Sequence, residues 1–176
     1  MIRIAELSTG QAIEWSARDR TFTVERELKL HLVNGLLSYE AVAIAPYEKT
    51  YPSRQKPFAE GVSFVGYVGD RVVAEIGLLN GWNGYAHIEN LIVAREFRRQ
   101  GLARSLVERA IAWAESRRLP GVMLETQSNN VSACQLYETC GFKLKGFDSS
   151  LYRGLNPHSR EVALFWYRQT QLRPAP

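Results

Sequence analysis

Residues 85–118 read YAHIENLIVAREFRRQGLARSLVERAIAWAESRR, and the architecture hinges on the turn inside them, Arg98-Arg99-Gln100-Gly101-Leu102-Ala103. Before it, Tyr85 to Val93 is mostly apolar around Glu89 and Asn90, the pattern of a strand buried on both faces. After it, Gly101 opens a helix running to about Arg118, with Ala103, Leu106, Val107, Ala110, Ile111 and Ala114 on one stripe. Arg104 and Glu108 add a supporting i, i+4 pair. A glycine in such a turn lets backbone N–H groups approach a ligand closely, and the helix N-terminus adds roughly half a positive charge. Flanking arginines supply charge-assisted bonds to phosphate oxygens. No Gly-Lys-Ser/Thr follows, and the spacing is not G-x-G-x-x-G, so the turn points to an anionic ligand without marking ATP or NAD. Taken alone, the run also fits an ordinary tight turn with solvated arginines.

Outward from the turn, the chain alternates strands with two helical patterns. Val62–Val68, the turn Gly69-Asp70 and Arg71–Leu79 form a hairpin signature, and Asn80-Gly81 and Asn83-Gly84 mark the next turn. Pro120-Gly121 ends the long helix, Val122–Thr126 is a strand, and Val131–Cys140 is a short helix stopped by Gly141. Strands follow near Phe142–Phe147 and Glu161–Tyr167. Upstream, Thr21–Leu32 alternates Phe22, Val24, Leu28, Leu30 and Leu32 with polar neighbours, a period-two strand interrupted at Arg26. Residues 37–60 end in a turn-rich stretch with three prolines, read as a surface loop lining a site. The expected fold is mixed α/β or α+β, as a single domain over residues 1–170, with 171–176 a disordered tail.

Composition supports one packed domain: 176 residues, 45% hydrophobic and 23% charged, exclude wholesale disorder. The net charge is +4, and the window 95–120 alone carries seven basic against three acidic residues, while residues 1–60 carry eight of each. An excess that local argues for an anion site and against a nucleic-acid-coating surface. No run reaches the ~18 apolar residues of a membrane span, and MIRIAELSTG lacks the basic-then-apolar order of a secretory signal. The two cysteines, Cys134 and Cys140, fall on different faces of one short helix, and His31, His87 and His158 are scattered. Neither a disulfide framework nor a metal site is expected, and a cytoplasmic protein is.

Two motifs in order carry a family resemblance. Arg98-x-x-Gly101-x-Ala103 after a strand ending in Val93, then Asn130-x-x-Ala133-x-x-Leu136-Tyr137-Glu138-x-x-Gly141-Phe142, resemble the GNAT superfamily of N-acetyltransferases. The resemblance implies a mixed, mostly antiparallel twisted sheet flanked by helices, and acetyl-CoA as cosubstrate with no metal. It implies that backbone groups at Leu91, Ile92 and Val93 pair with the pantetheine arm. The pyrophosphate then falls to Arg98, Arg99, Gln100, Gly101, Leu102, Ala103 and Arg104, with Asn130, Ala133 and Tyr137 also contacting the cofactor. More particular stretches resemble the streptothricin acetyltransferases within that superfamily: Tyr47–Pro52 (YEKTYP), Trp82–Ala86 (WNGYA), Leu124–Asn130 (LETQSNN) and Glu161–Tyr167 (EVALFWY). Such enzymes acetylate an amine on the β-lysine moiety of a cationic antibiotic.

The chemistry such a reaction demands can be matched to residues. An amine with pKa near ~10.4 is almost wholly protonated at pH 7, and freeing it costs about 4 kcal/mol. Glu89 is the first candidate base, directly or through water; burial would raise its carboxyl towards ~6–7. Tyr137, in its Leu-Tyr-Glu-x-x-Gly-Phe setting, matches the superfamily's general-acid tyrosine, able to protonate the departing CoA thiolate. His87, two residues from Glu89, either shares that site or packs in the core. An acyl-cysteine route through Cys134 or Cys140 lacks an adjacent base. A cationic substrate needs acidic and aromatic walls, for which Glu75, Trp82, Glu89, Asp148 and Tyr152 are candidates, alongside Tyr39, Glu40, Tyr47 and Tyr51.

The leading expectation is direct acetyl transfer to a primary amine of a small cationic substrate, streptothricin first. The alternatives are an N-acetyltransferase for a protein N-terminus or another small amine, and a non-catalytic acyl-CoA-binding module. Neither nucleic acid nor membrane is an expected partner. Monomer and homodimer both remain open, since an edge strand near the C-terminus can pair with a second copy.

Overall fold

The computed structural model describes residues 2–7, 11–53 and 61–170. The tail expected at 171–176 and the later part of the proline-bearing stretch, residues 54–60, lie outside the described residues. The chain forms a mixed α/β fold with a mostly antiparallel sheet flanked by helices, and its packing divides into two compact units. One comprises Met1–Thr21, Thr50–Met123 and Gln169–Pro176; the other comprises Phe22–Lys49 and Leu124–Arg168.

In the first unit the strands run in the order β1 (Ile2–Glu6), β4 (Val62–Val68), β5 (Arg71–Asn80) and β6 (Ala86–Val93), each antiparallel to its neighbour. The hairpin β4–β5 turns at Gly69-Asp70 as the sequence predicts, with Gly69 at φ +60°. Helix α1 (Leu102–Ser116) packs on β4, β5 and β6. Its buried face is Leu102, Leu106, Val107, Ala110, Ile111, Trp113 and Ala114. Trp113 thus joins the predicted stripe, and Ala103 is only half-buried. Phe64 of β4 faces this helix, Arg109 lying over its ring, and Phe64, Val65, Val73, Ile76 and Leu78 are all fully buried. Each large side chain of this kind contributes about 1.5–3 kcal/mol by leaving water. Gly66 allows α1 to come close: a Cβ there would sit 3.3 Å from Leu102 Cδ2.

One expectation about β6 is corrected. The strand is not buried on both faces; Ala86 and Ile88 are buried, while Glu89 is exposed. The cause is a β-bulge. Gly77 of β5 faces Asn90 and the next residue, Leu78, faces Ile88, so Glu89 is the extra residue without a partner on β5. A bulge re-aims the side chain it carries.

The second unit holds the two-stranded ribbon β2 (Thr21–Val33) and β3 (Leu36–Thr50), whose outermost residues Thr21 and Thr50 belong to the first unit. It also holds β7 (Gly121–Gln127) from Leu124 onward, helix α2 (Val131–Thr139), and the antiparallel pair β8 (Lys143–Asp148) and β9 (Ala163–Gln169), ordered β7-β9-β8. The predicted surface loop over 37–60 is therefore a strand as far as Thr50. Asn34 and Gly35 both have positive φ, 50° and 77°, the twist-matched turn that joins β2 to β3. Pro46 sits within β3, which a two-stranded ribbon tolerates because its outer edge demands no N–H. Trp166, Phe142, Leu124 and Leu164 are fully or almost fully buried in this unit. No helix among the described residues is long and apolar enough to cross a membrane.

Candidate functional site

In the first unit, the turn between β6 and α1 is built for an anion. Gly101 is the N-cap of α1 in the left-handed region, φ +84°, and no side chain caps the helix. A Cβ at Gly101 would have nothing within 4 Å, so space lies open in front of the helix end. The first intrahelical bond runs from Ser105 N–H to Gly101 O at 3.0 Å. The N–H groups of Leu102 and Ala103 therefore have no intrahelical acceptor, and they carry the positive end of the helix dipole. Arg99 also has positive φ, 60°, so the turn passes twice through the left-handed region.

Arg98 plays a part the sequence does not reveal. Its Nε donates to Val93 O at 3.1 Å, its Nη1 to Thr21 O at 3.0 Å, and its Nη2 to Asp19 O. The guanidinium is spent on three backbone carbonyls and braces the turn. Asp19 completes the brace, its Oδ1 accepting from Arg95 N–H at 2.9 Å. Burial pushes the Asp19 carboxyl upward, but bonds from Ser16 and Arg95 and the nearby Arg98 outweigh it and hold the group below its ordinary value.

On β6, Leu91, Ile92 and Val93 face Ile76, Glu75 and Ala74 of β5. Glu89 projects from the bulge with its side chain 40% exposed, and its Oε1 lies 3.9 Å from His87 Nδ1. Burial holds the His87 imidazole below its ordinary value, with Glu89 opposing. The ring packs so close to Gly81 that a Cβ there would lie 2.5 Å from it. His87 is thus a packed residue beside the candidate base.

Glu75 is 1% exposed; Trp15 Nε1 donates to its Oε2 at 2.7 Å and Ser63 Oγ to its Oε1 at 3.4 Å. It forms part of the interior of the first unit. Trp82, by contrast, is 95% exposed in the turn between β5 and β6.

In the second unit, α2 closes its own N-terminus. Asn130 Oδ1 accepts from Ala133 N–H at 3.2 Å, the N-cap bond. Tyr137, one turn further, is buried and packs edge-to-face on Phe142, with centroids 5.7 Å apart. Its neighbour Glu138 accepts from Tyr39 Oη at 2.6 Å, and Tyr39 packs edge-on against Trp166. Burial, then the bond to Glu138, raises the Tyr39 phenol well above its ordinary range. Both cysteines are free and buried. Burial pushes the Cys134 thiol up to about 12, which leaves it without thiolate character at neutral pH. Asp148 accepts from the N–H groups of Ser150 and Leu151, capping a short 3-10 turn, and Tyr152 donates to Glu125. No group of three or more His, Cys, Asp or Glu able to hold a metal occurs among the described residues.

A bulged strand leading through a braced glycine turn to an uncapped helix N-terminus is a setting for an anionic acyl carrier. The family model described as "Acetyltransferase (GNAT) family" matches residues 32–142. The streptothricin acetyltransferase of Escherichia coli is 36% identical over 157 residues, 89% of this chain and 90% of that protein. A Bacillus anthracis structure described as a streptothricin acetyltransferase in complex with acetyl coenzyme A superposes with a TM-score of 0.84 at 36% identity, covering 96% of this chain and 99% of its own. The nourseothricin acetyltransferase structure gives 0.80 at 27% identity, covering 96% and 98%. Fold and site thus define the class: the protein is an acyltransferase. More particularly, the chain belongs to the GNAT acetyltransferase family.

Proposed function

We propose that the chain moves the acetyl group of acetyl-CoA directly to a primary amine of streptothricin, on its β-lysine moiety, and so confers resistance to that antibiotic. The observation that carries this reading is the 36% identity to a streptothricin acetyltransferase along nine-tenths of both chains, well beyond the cofactor turn. The residues present fit the cosubstrate: an open, uncapped helix end with Gly101 in front supports binding of its phosphates, with Arg99 and Arg104 beside it. Bound acetyl-CoA supplies an activated thioester.

The chain's own residues handle the protons. Glu89, exposed on its bulge and open to water, accepts the ammonium proton, directly or through a bridging water. Tyr137 gives its phenolic proton towards the leaving sulfur, and Phe142 fixes its ring. Cys134 is unsuited to carry the acetyl group, which favours transfer without a covalent intermediate. Two buried free cysteines suit a reducing compartment, the cytoplasm.

The test is CoA release by purified protein with acetyl-CoA and streptothricin, and turnover requiring both is expected. Turnover with a different amine and none with streptothricin would reassign the substrate. Acetyl-CoA binding with no turnover on any amine would make the chain a binding module.

A further inference from the structure

Parts of three of the stretches that resemble the streptothricin acetyltransferases, residues 47–49, Leu124–Asn130 and Glu161–Tyr167, lie in the second unit. They meet around Asn129, whose side chain is almost fully buried. Its Nδ2 donates to Tyr47 Oη at 2.8 Å and to Glu161 Oε1 at 3.1 Å, and its Oδ1 accepts from Lys49 Nζ at 3.3 Å. Lys49 also pairs with Glu161 at 2.6 Å. Backbone bonds lock the same spot: Leu28 N–H donates to Ser128 O at 2.8 Å, and Ser128 N–H donates to Val162 O at 2.9 Å. The result is a rigid wall for an open polar pocket of about 180 Å³, bounded further by Glu27 of β2 and by Asn156, Ser159 and Arg160 of the β8–β9 loop.

Size and charge together narrow the ligand. A pocket for a whole drug-sized molecule starts at about 300 Å³, so this one takes a fragment, one ring or one short arm. Its formal charges cancel, because Lys49 pairs with Glu161 and the lining holds one further acidic residue, Glu27, and one basic residue, Arg160. An unpaired ammonium would find no net attraction here. Amides and hydroxyls, which both donate and accept, make up the rest of the wall.

We propose that this pocket is the specificity subsite for a neutral portion of the substrate that bears hydroxyl or amide groups, and that the reacting amine is received elsewhere. The inference rests on the streptothricin reading. It explains why Tyr47, Asn129 and Glu161, far apart in the chain and remote from the cofactor turn in sequence, form one hydrogen-bonded set.

The test is steady-state kinetics on the intact enzyme with acetyl-CoA and streptothricin, using one variant that fills the pocket and one that removes a contact. Asn156→Trp, on the exposed loop, is expected to raise the streptothricin KM about tenfold or more, the equivalent of losing at least one good polar contact. Glu27→Gln is expected to raise it about threefold, roughly half that free energy. In both, the acetyl-CoA KM and the thermal midpoint stay at the wild-type values. An unchanged streptothricin KM in both variants overturns the inference and leaves the function standing. Wild-type protein inert towards streptothricin overturns the function and the inference with it. Should Asn156→Trp fail to fold, Glu27→Gln alone decides.

Discussion

The two helices begin in opposite ways. At α1, Gly101 occupies the cap position in the left-handed region and offers no side-chain acceptor. At α2, Asn130 folds its own amide oxygen onto Ala133 N–H. An uncapped helix end keeps its N–H groups and dipole available to a ligand, whereas a capped one spends them internally. The first start therefore leaves donors free to meet an anion, and the second satisfies one of its own. The family resemblance treats both starts as cofactor contacts; in geometry the first is uncapped and the second is capped by Asn130.

That division can be broken by experiment. Tyr137→Phe should lower kcat about 10²-fold, the usual scale for losing a general acid, with acetyl-CoA affinity by calorimetry unchanged. If affinity falls and kcat holds, α2 is a binding element after all. Gly101→Val should weaken acetyl-CoA about tenfold, because a β-branched residue held at positive φ costs on the order of 1–2 kcal/mol and relaxes the turn. Gly101→Asn, which tolerates that φ better, should recover most of the affinity; equal loss in both would mean that the open space matters and not the dihedral. Asn130→Ala should cost about 1 kcal/mol of stability in urea unfolding, the worth of an N-cap. A loss of acetyl-CoA affinity larger than at Gly101 would erase the contrast.

Elements whose cause is local were legible in the sequence. The hairpin at Gly69-Asp70, the stripe of α1 and the stop at Gly141 follow from residues within a few positions of one another. The same local reasoning misjudged residues 37–50, where prolines outweighed a two-residue Asn34-Gly35 turn that pairs β2 with β3. It also placed Arg98 among the phosphate ligands, because an arginine beside a glycine turn suggests an anion. Two of the carbonyls that engage it, on Asp19 and Thr21, lie almost eighty residues away.

The amino-acid sequence by itself determined the order of elements from β4 to β9, the glycine turn that opens α1, and the motifs that place the chain in its family. Tertiary structure alone decided that Glu89 rides on a bulge, that Arg98 is a brace, and that Tyr47, Asn129 and Glu161 share one pocket. The physical reason is one of range. Periodicity and capping act over a single turn or a few residues, but strand register and side-chain partners are set by which distant segments pack together, and no local pattern encodes that choice.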